Sequence, residues 1–196
     1  GFVVVYLTTG SINFAQGEFV ALGGLTAAAL VGAGLPLPIA CALTIVLSIL
    51  LGMAFNGCLI APLLRGASKH LVVRVVIITI GASVLLRQLA LHIFGPDELS
   101  LPGFIRGNSL KIFGAQIEIQ TFILVGVTLA IFALFALAYY KSKFGRAMRA
   151  YQQSPIGAEL VGVAARKVVR SSVVLSAILG AVAGILVTPL TQMSFD

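Results

Sequence analysis

The stretch KSKFGRAMRAYQQSPIGAELVGVAARKVVR, residues 141–170, decides how the rest of the sequence is read. It is the longest polar interval of the chain and holds seven of its 13 lysines and arginines: Lys141, Lys143, Arg146, Arg149, Arg166, Lys167 and Arg170. Glu159 is its one acid. Apolar runs long enough to cross a bilayer flank it on both sides. Positive charge close to membrane-spanning ends is retained on the cytoplasmic side, so this loop is read as cytoplasmic. Every other loop then takes a side from it.

Composition agrees with that start. Of 196 residues, 59% are hydrophobic and 10% charged, and the mean hydropathy is +1.10. A soluble domain carries about 25% charged residues, so the sequence is that of an all-α polytopic membrane protein. In a soluble domain a net charge of +7 would suggest nucleic acid. Here the charges cluster at span ends, where topology and anionic lipid headgroups account for them. Residues 1–9 are apolar but lack the basic flank and cleavage site of a signal peptide. Cys41 and Cys58 fall in one predicted span, roughly 25 Å apart along a helix. That is too far for a disulfide, so both are read as packing residues.

Outward from the loop, residues 119–140 form the span that enters it, with Tyr139 and Tyr140 at interface depth, and residues 171–189 the span that leaves it. Residues 95–118 balance Asp97, Glu98 and Glu118 against Arg106 and Lys111, with Gly-Pro and Leu-Pro-Gly turn signals. They read as an external loop. Residues 75–94 span, and Arg65, Lys69, His70 and Arg74 make a second basic, cytoplasmic interval. Residues 39–60 span as far as Pro62, and the uncharged turn at 32–38 lies outside. Residues 19–31 continue a span that begins in the polar interval 9–18. Residues 1–9 read as the tail of an earlier span, and both chain ends read as cut. Residues 1–196 form a single transmembrane domain with the 141–170 loop inside it.

No catalytic constellation, nucleotide-binding loop or metal-ligand spacing is present; His70 and His92 stand apart from any acid–thiol or acid–hydroxyl pattern. Neither cofactor nor metal is expected, and an energy-dependent process would need its nucleotide chemistry from another chain. The interval 9–18 (TGSINFAQGE) is costly in hydrocarbon unless it faces protein or water. Gly10 and Gly17 would permit a helix break, with Ser11 or Asn13 capping the following half. A polar turn at the cytoplasmic face and a broken helix beside a transport path both fit. Glu18 reads either as a substrate-contacting or coupling acid, or as an acid satisfied at a helix start. Arg87, inside a span, either snorkels outward, the favoured reading, or faces an aqueous path. Gly180-x-x-x-Gly184 permits close helix approach, expected within the subunit. In the basic loop, residues 144–151 form an amphipathic helix with Phe144, Ala147, Met148 and Tyr151 on one side. Ser154 and Pro155 then start a second helix over residues 156–161 that stops at Gly162. An ordered hairpin with such an apolar ridge suits docking into a partner's groove.

Residues 145–150 (GRAMRA) followed by 154–163 (SPIGAELVGV) resemble the coupling loop of branched-chain amino-acid ABC importer permeases. Residues 9–19 (TGSINFAQGEF) are similar to that family's Asn-Phe-Ala-x-Gly-Glu signature, and Thr79-Ile80-Gly81-Ala82-Ser83 and Phe94-Gly95-Pro96 fit as well. The matches arrive in the family's order, and the closer resemblance is to its H-type subunit. The resemblance implies one membrane subunit of the bacterial inner membrane. It would work with a second permease, ABC ATPase subunits and a periplasmic amino-acid-binding protein. It places Gly145, Arg146, Ala158 and Gly162 on the ATPase-coupling surface and Asn13, Gln16, Gly17 and Glu18 beside the translocation path. Two departures stand against the pattern. Ile156-Gly157-Ala158 replaces the usual Glu-Ala-Ala start of the coupling motif, and the family's first half-span and final spans are missing. Related permeases also serve amides and urea. The rival readings are an ion-coupled secondary transporter using Glu18, and a pore or scaffold with no need of the 144–162 hairpin.

Overall fold

A computed structural model describes residues 1–63, 71–95, 101, 109–112 and 115–189. Arg65, Lys69 and His70 of the second basic interval, and Asp97, Glu98 and Arg106 of the external loop, lie outside the described residues. The helices are α1 (Phe2–Thr9), α2 (Gln16–Gly32), α3 (Leu37–Phe55), α4 (Ala61–Leu63), α5 (Leu71–Phe94), α6 (Ile119–Lys141), α7 (Lys143–Gln153), α8 (Pro155–Leu160) and α9 (Ala165–Val187). Four continuous helical stretches among the described residues are long and apolar enough to cross a membrane: Leu37–Leu63, Val72–Phe94, Leu124–Lys141 and Ala165–Val187. The shorter α2 is also apolar.

Helix α9 is the axis of the bundle. Its stripe Val169, Val173, Ala177, Ala181 and Ile185 is buried, as are Ser172, Ser176, Gly180 and Gly184. Small residues on that stripe let neighbouring backbones come close, which drives helix association where apolar burial gives no advantage over lipid. A Cβ on Gly184 would strike the Val20 carbonyl and lie 2.7 Å from the Gly24 nitrogen, and one on Gly180 would lie 2.8 Å from the Phe19 Cβ. The Gly-x-x-x-Gly pattern therefore seats α2 within the subunit. On another side of α9, α3 leaves no room for a side chain at Gly52, whose Cβ would come 2.9 Å from that of Ala177. Phe19 and Phe55 meet edge to face at 5.4 Å between the two.

The span at 39–60 does not stop at Pro62. A π-helical turn over Asn56–Ile60 carries α3 into α4, with the Ala61 N–H donating to the Asn56 carbonyl. Proline lacks an N–H and its ring crowds the carbonyl one turn earlier. The wider turn relieves that clash and lets the helix continue as far as Leu63.

The all-α membrane architecture carries one addition. Part of the expected irregular loop pairs as an antiparallel hairpin, β1 (Ser109–Ile112) and β2 (Ala115–Glu118), with Ser109 opposite Glu118 and Ile112 opposite Ala115. The alternation of Leu110 and Ile112, then Ala115 and Ile117, is a strand pattern in the sequence.

Candidate functional site

The polar interval 9–18 is a helix break. α1 ends at Thr9, where Gly10 takes φ 67° and its N–H donates to the Tyr6 carbonyl, and α2 begins at Gln16. Neither Ser11 nor Asn13 caps α2 in the expected way: the N-cap position is Ala15, without a side-chain bond. Instead Asn13 Oδ1 accepts from the Ala15 N–H at 3.1 Å, closing the turn from within. The Phe14 N–H donates to the Thr79 hydroxyl on α5 at 3.3 Å, and that hydroxyl donates on to the Val76 carbonyl at 3.0 Å. Asn13 is only 1% exposed, yet its Nδ2 meets no acceptor. Backbone opened inside a bundle must find its partners there, and α5 supplies one of them.

Gln16 fixes the depth of the break. Its Nε2 donates to the Ser176 carbonyl at 3.1 Å, and the Ser176 hydroxyl donates back to Gln16 Oε1. Gly180, one turn along, leaves space for this amide, since a Cβ there would sit 3.1 Å from Gln16 Nε2. Ser176 stands midway along the 23 residues of α9, a helix roughly 34 Å long. The start of α2 therefore lies level with the centre of a spanning helix. Of the two sequence readings, the turn at the membrane face and the break at depth, the geometry favours the second.

The remaining pathway candidates are more open. Gly17 is exposed and Glu18 half-buried in the first turn of α2. Glu18 is not a lone acid, because the Arg87 guanidinium on α5 lies close enough for its charge to act on it. Outward snorkelling was the favoured expectation for Arg87. The side chain is exposed, so it can reach outward as expected while its charge still acts on Glu18.

The basic loop folds as the expected hairpin of two helices. The Ser142 hydroxyl accepts from the Gly145 N–H at 2.9 Å to cap α7. The Ser154 hydroxyl accepts from the Gly157 N–H at 3.0 Å to cap α8, with Pro155 at its first position. Gly162 at φ 85° ends the hairpin, the Val163 N–H returning to the Ala158 carbonyl at 2.9 Å. Such a left-handed residue costs little only for glycine.

The apolar ridge of α7 faces the opposite way from the expectation. Met148 is fully buried against Val4 of α1 and Val168 of α9, with Phe144, Ala147 and Tyr151 packed around them. It is an anchor within the subunit and not a docking face. Gly145 and Ala158 are buried as well, Gly145 because any Cβ there would strike the Tyr139 backbone. Arg146 and Gly162 are exposed. The apolar surface that the hairpin does present is on α8 and just after it: Ile156, Leu160 and Val161 are 75%, 83% and 77% exposed. Sequence reading missed these three because a run of only six helical residues shows no clear face. Tyr151 lies against the end of α1, sharing a cleft with Thr9, Gly10 and Pro155. Burial pushes its phenol above the usual tyrosine range, and the charge of Glu159 adds to this.

Among the described residues no cluster of His, Cys, Asp or Glu could hold a metal ion. Cys41 and Cys58 are free thiols; Cys41 packs beside Ala28 and Ile185, whereas Cys58 is exposed.

A family model described as branched-chain amino acid transport system / permease component matches residues 1–195. Among curated proteins, the chain is 29% identical to the LivH permease protein of the high-affinity branched-chain amino acid transport system of Salmonella typhimurium, over 95% of the chain and 63% of that protein. The LivH protein of Escherichia coli K12 is 28% identical over the same shares. The BraD permease protein of Pseudomonas aeruginosa is 27% identical over 95% of the chain and 64% of its own length. The chain thus spans a little under two thirds of these relatives. No solved structure matches it.

Proposed function

The chain belongs to the permease components of branched-chain amino acid transport systems, and from that premise we propose that it forms part of the membrane path of an ATP-driven amino acid importer. Its setting is the bacterial cytoplasmic membrane, with several spans. The partners are a second permease subunit, ABC ATPase subunits on the basic side and a periplasmic amino-acid-binding protein on the other. ATP hydrolysis belongs to the ATPases. The cargo is a branched-chain or related amino acid. The helix break bearing Asn13, Gln16, Gly17 and Glu18 lies beside the path, where a mid-membrane helix end can meet a polar solute.

The observation that carries this reading is the α7–α8 hairpin. Both of its turns are capped, one face is locked into the bundle through Met148, and Ile156, Leu160 and Val161 stand exposed at the tip. An apolar tip held rigidly outside the spans suits a groove on a cytoplasmic partner. Arg146 and Gly162 flank that surface, while Gly145 and Ala158 hold it in shape from inside. Force from ATPase closure would enter at α8 and pass through Met148 to α1 and α9.

The test is to purify the full-length permease from membranes and assay the ATPase that accompanies it, with and without Ile156→Glu and Leu160→Glu. Both positions are exposed, so insertion should be unchanged. Two buried carboxylates without partners cost several kcal/mol at an interface (about 3–5 for an unpaired charge), and the ATPase should be lost. If no ATPase accompanies the unaltered permease, the importer reading is wrong and Glu18 becomes the candidate coupling acid of a carrier.

A further inference from the structure

Helix α6 is the span with the least support. None of its membrane-crossing window Leu124–Lys141 is buried, whereas 56% of α9 is. Phe122, Leu129, Phe132, Leu134 and Leu137 are all exposed. Phe135 meets the cluster that holds Leu175 and Leu179 of α9, and the polar ties of α6 lie at its basic-side end. There Arg149 of α7 reaches back, Nη1 donating to the Tyr139 carbonyl and Nη2 to the Tyr140 carbonyl at 3.4 Å. Its guanidinium also lies 5.2 Å from the Tyr139 ring centre and 5.7 Å from that of Tyr140. Two weaker ties lie alongside. Arg146 Nη1 donates to the Lys141 carbonyl at 3.3 Å, and the Tyr139 hydroxyl donates to Gln152 Oε1 at 3.3 Å. The corner itself has no slack, since Gly145 abuts the Tyr139 backbone.

The last carbonyls of a helix have no partners within it and carry partial negative charge. A guanidinium meets two of them with a planar fork while stacking on adjacent rings, which an ammonium cannot do. Arg149 is therefore more than a local cap. The same short helix that places it on α6 places Met148, one residue earlier, among Val4 and Val168 of the bundle.

We propose that Arg149 is the positioning residue that fastens α6 to the coupling hairpin, so that α6 moves with the hairpin as one body when the hairpin, with the ends of α1 and α9 that Met148 anchors, is displaced against α3. This rests on the importer reading above for the source of displacement. A local cap would stabilise the end of α6 and do nothing more; a fastener also delivers motion.

The experiment uses the full-length permease assembled with its ATPase. Spin labels go on exposed positions: Leu134 on α6, Gln153 on α7 and Ile39 at the far end of α3. Between ATP-free and ATP-bound states, the Leu134–Gln153 separation should stay fixed while Leu134–Ile39 changes. A change in Leu134–Gln153 with Leu134–Ile39 fixed overturns the proposal, whatever the variants do. The Arg149→Met variant should keep its ATPase but lose solute uptake per ATP by roughly tenfold, within the range of coupling between distant sites. Arg149→Lys, which keeps the charge without the fork, should recover only part of that loss. Unchanged uptake per ATP in Arg149→Met, with ATPase bound, also overturns it. Absence of an ATPase from the unaltered complex would instead sink the importer reading, a distinct result.

Discussion

Two of the buried polar residues at the break face each other from different helices. Gln16 and Ser176 exchange hydrogen bonds across the middle of the bundle. In lipid such interhelical bonds average about 0.6 kcal/mol and reach about 1.7. Gln16→Leu and Ser176→Ala should each destabilise the detergent-solubilised protein by about that much, and the double variant by less than their sum. Thermal unfolding of the four proteins checks this; strictly additive losses would show that the two groups act separately. Tyr151 gives a pH prediction. Its phenol titrates above its unfolded value, so it stabilises the hairpin fully below about pH 10. That contribution is lost as pH rises through the higher folded value. Hairpin protection from trypsin should be flat through neutral pH and fall in strong alkali, and the alkaline loss should shrink in Tyr151→Phe.

At the scale of elements, hairpin and break differ in what holds them. The hairpin is written locally: Ser142, Ser154, Pro155 and Gly162 are a cap, a cap, a first-turn proline and a left-handed stop, each acting within a few residues. Ser154→Ala should cost about 1 kcal/mol of α8 stability, seen as faster amide hydrogen exchange over residues 155–160 with α9 unchanged. The break is held from afar. Its bonds to other helices go to Thr79 and Ser176, far along the chain, so its neighbours in sequence suggest turn residues without saying where the turn lies. The α3–α4 rod falls between the two. Pro62 announces a disturbance, but a helix can either stop at it or widen ahead of it, and the π turn over Asn56–Ile60 takes the second course.

For the molecule as a whole, charge placement sets orientation. With Cys41 and Cys58 replaced by alanine, a cysteine at Lys143 should react with a membrane-impermeant thiol reagent only in inside-out vesicles, and one at Gly34 only in right-side-out cells. Labelling of both from one face would reverse the topology on which the importer reading depends.

The sequence by itself determined the class of protein, most of its membrane-crossing stretches, the Ser154 cap and Gly162 stop of the hairpin, and the family. These follow from hydropathy, charge and short-range turn chemistry, which depend on residues close together in the chain. It also suggested a break between Gly10 and Gly17. Tertiary structure alone decided that the break lies level with Ser176, that Glu18 has Arg87 for a neighbour, and that Gly180 and Gly184 receive α2. It also turned the Met148 ridge inward and left Ile156, Leu160 and Val161 outside. The physical reason is the solvent. In a membrane an apolar residue is equally at home against lipid or protein, so hydrophobic patterning cannot say which face of a helix is buried. Close approach of small residues and matched polar groups decides it, and those partners come from helices far apart in sequence.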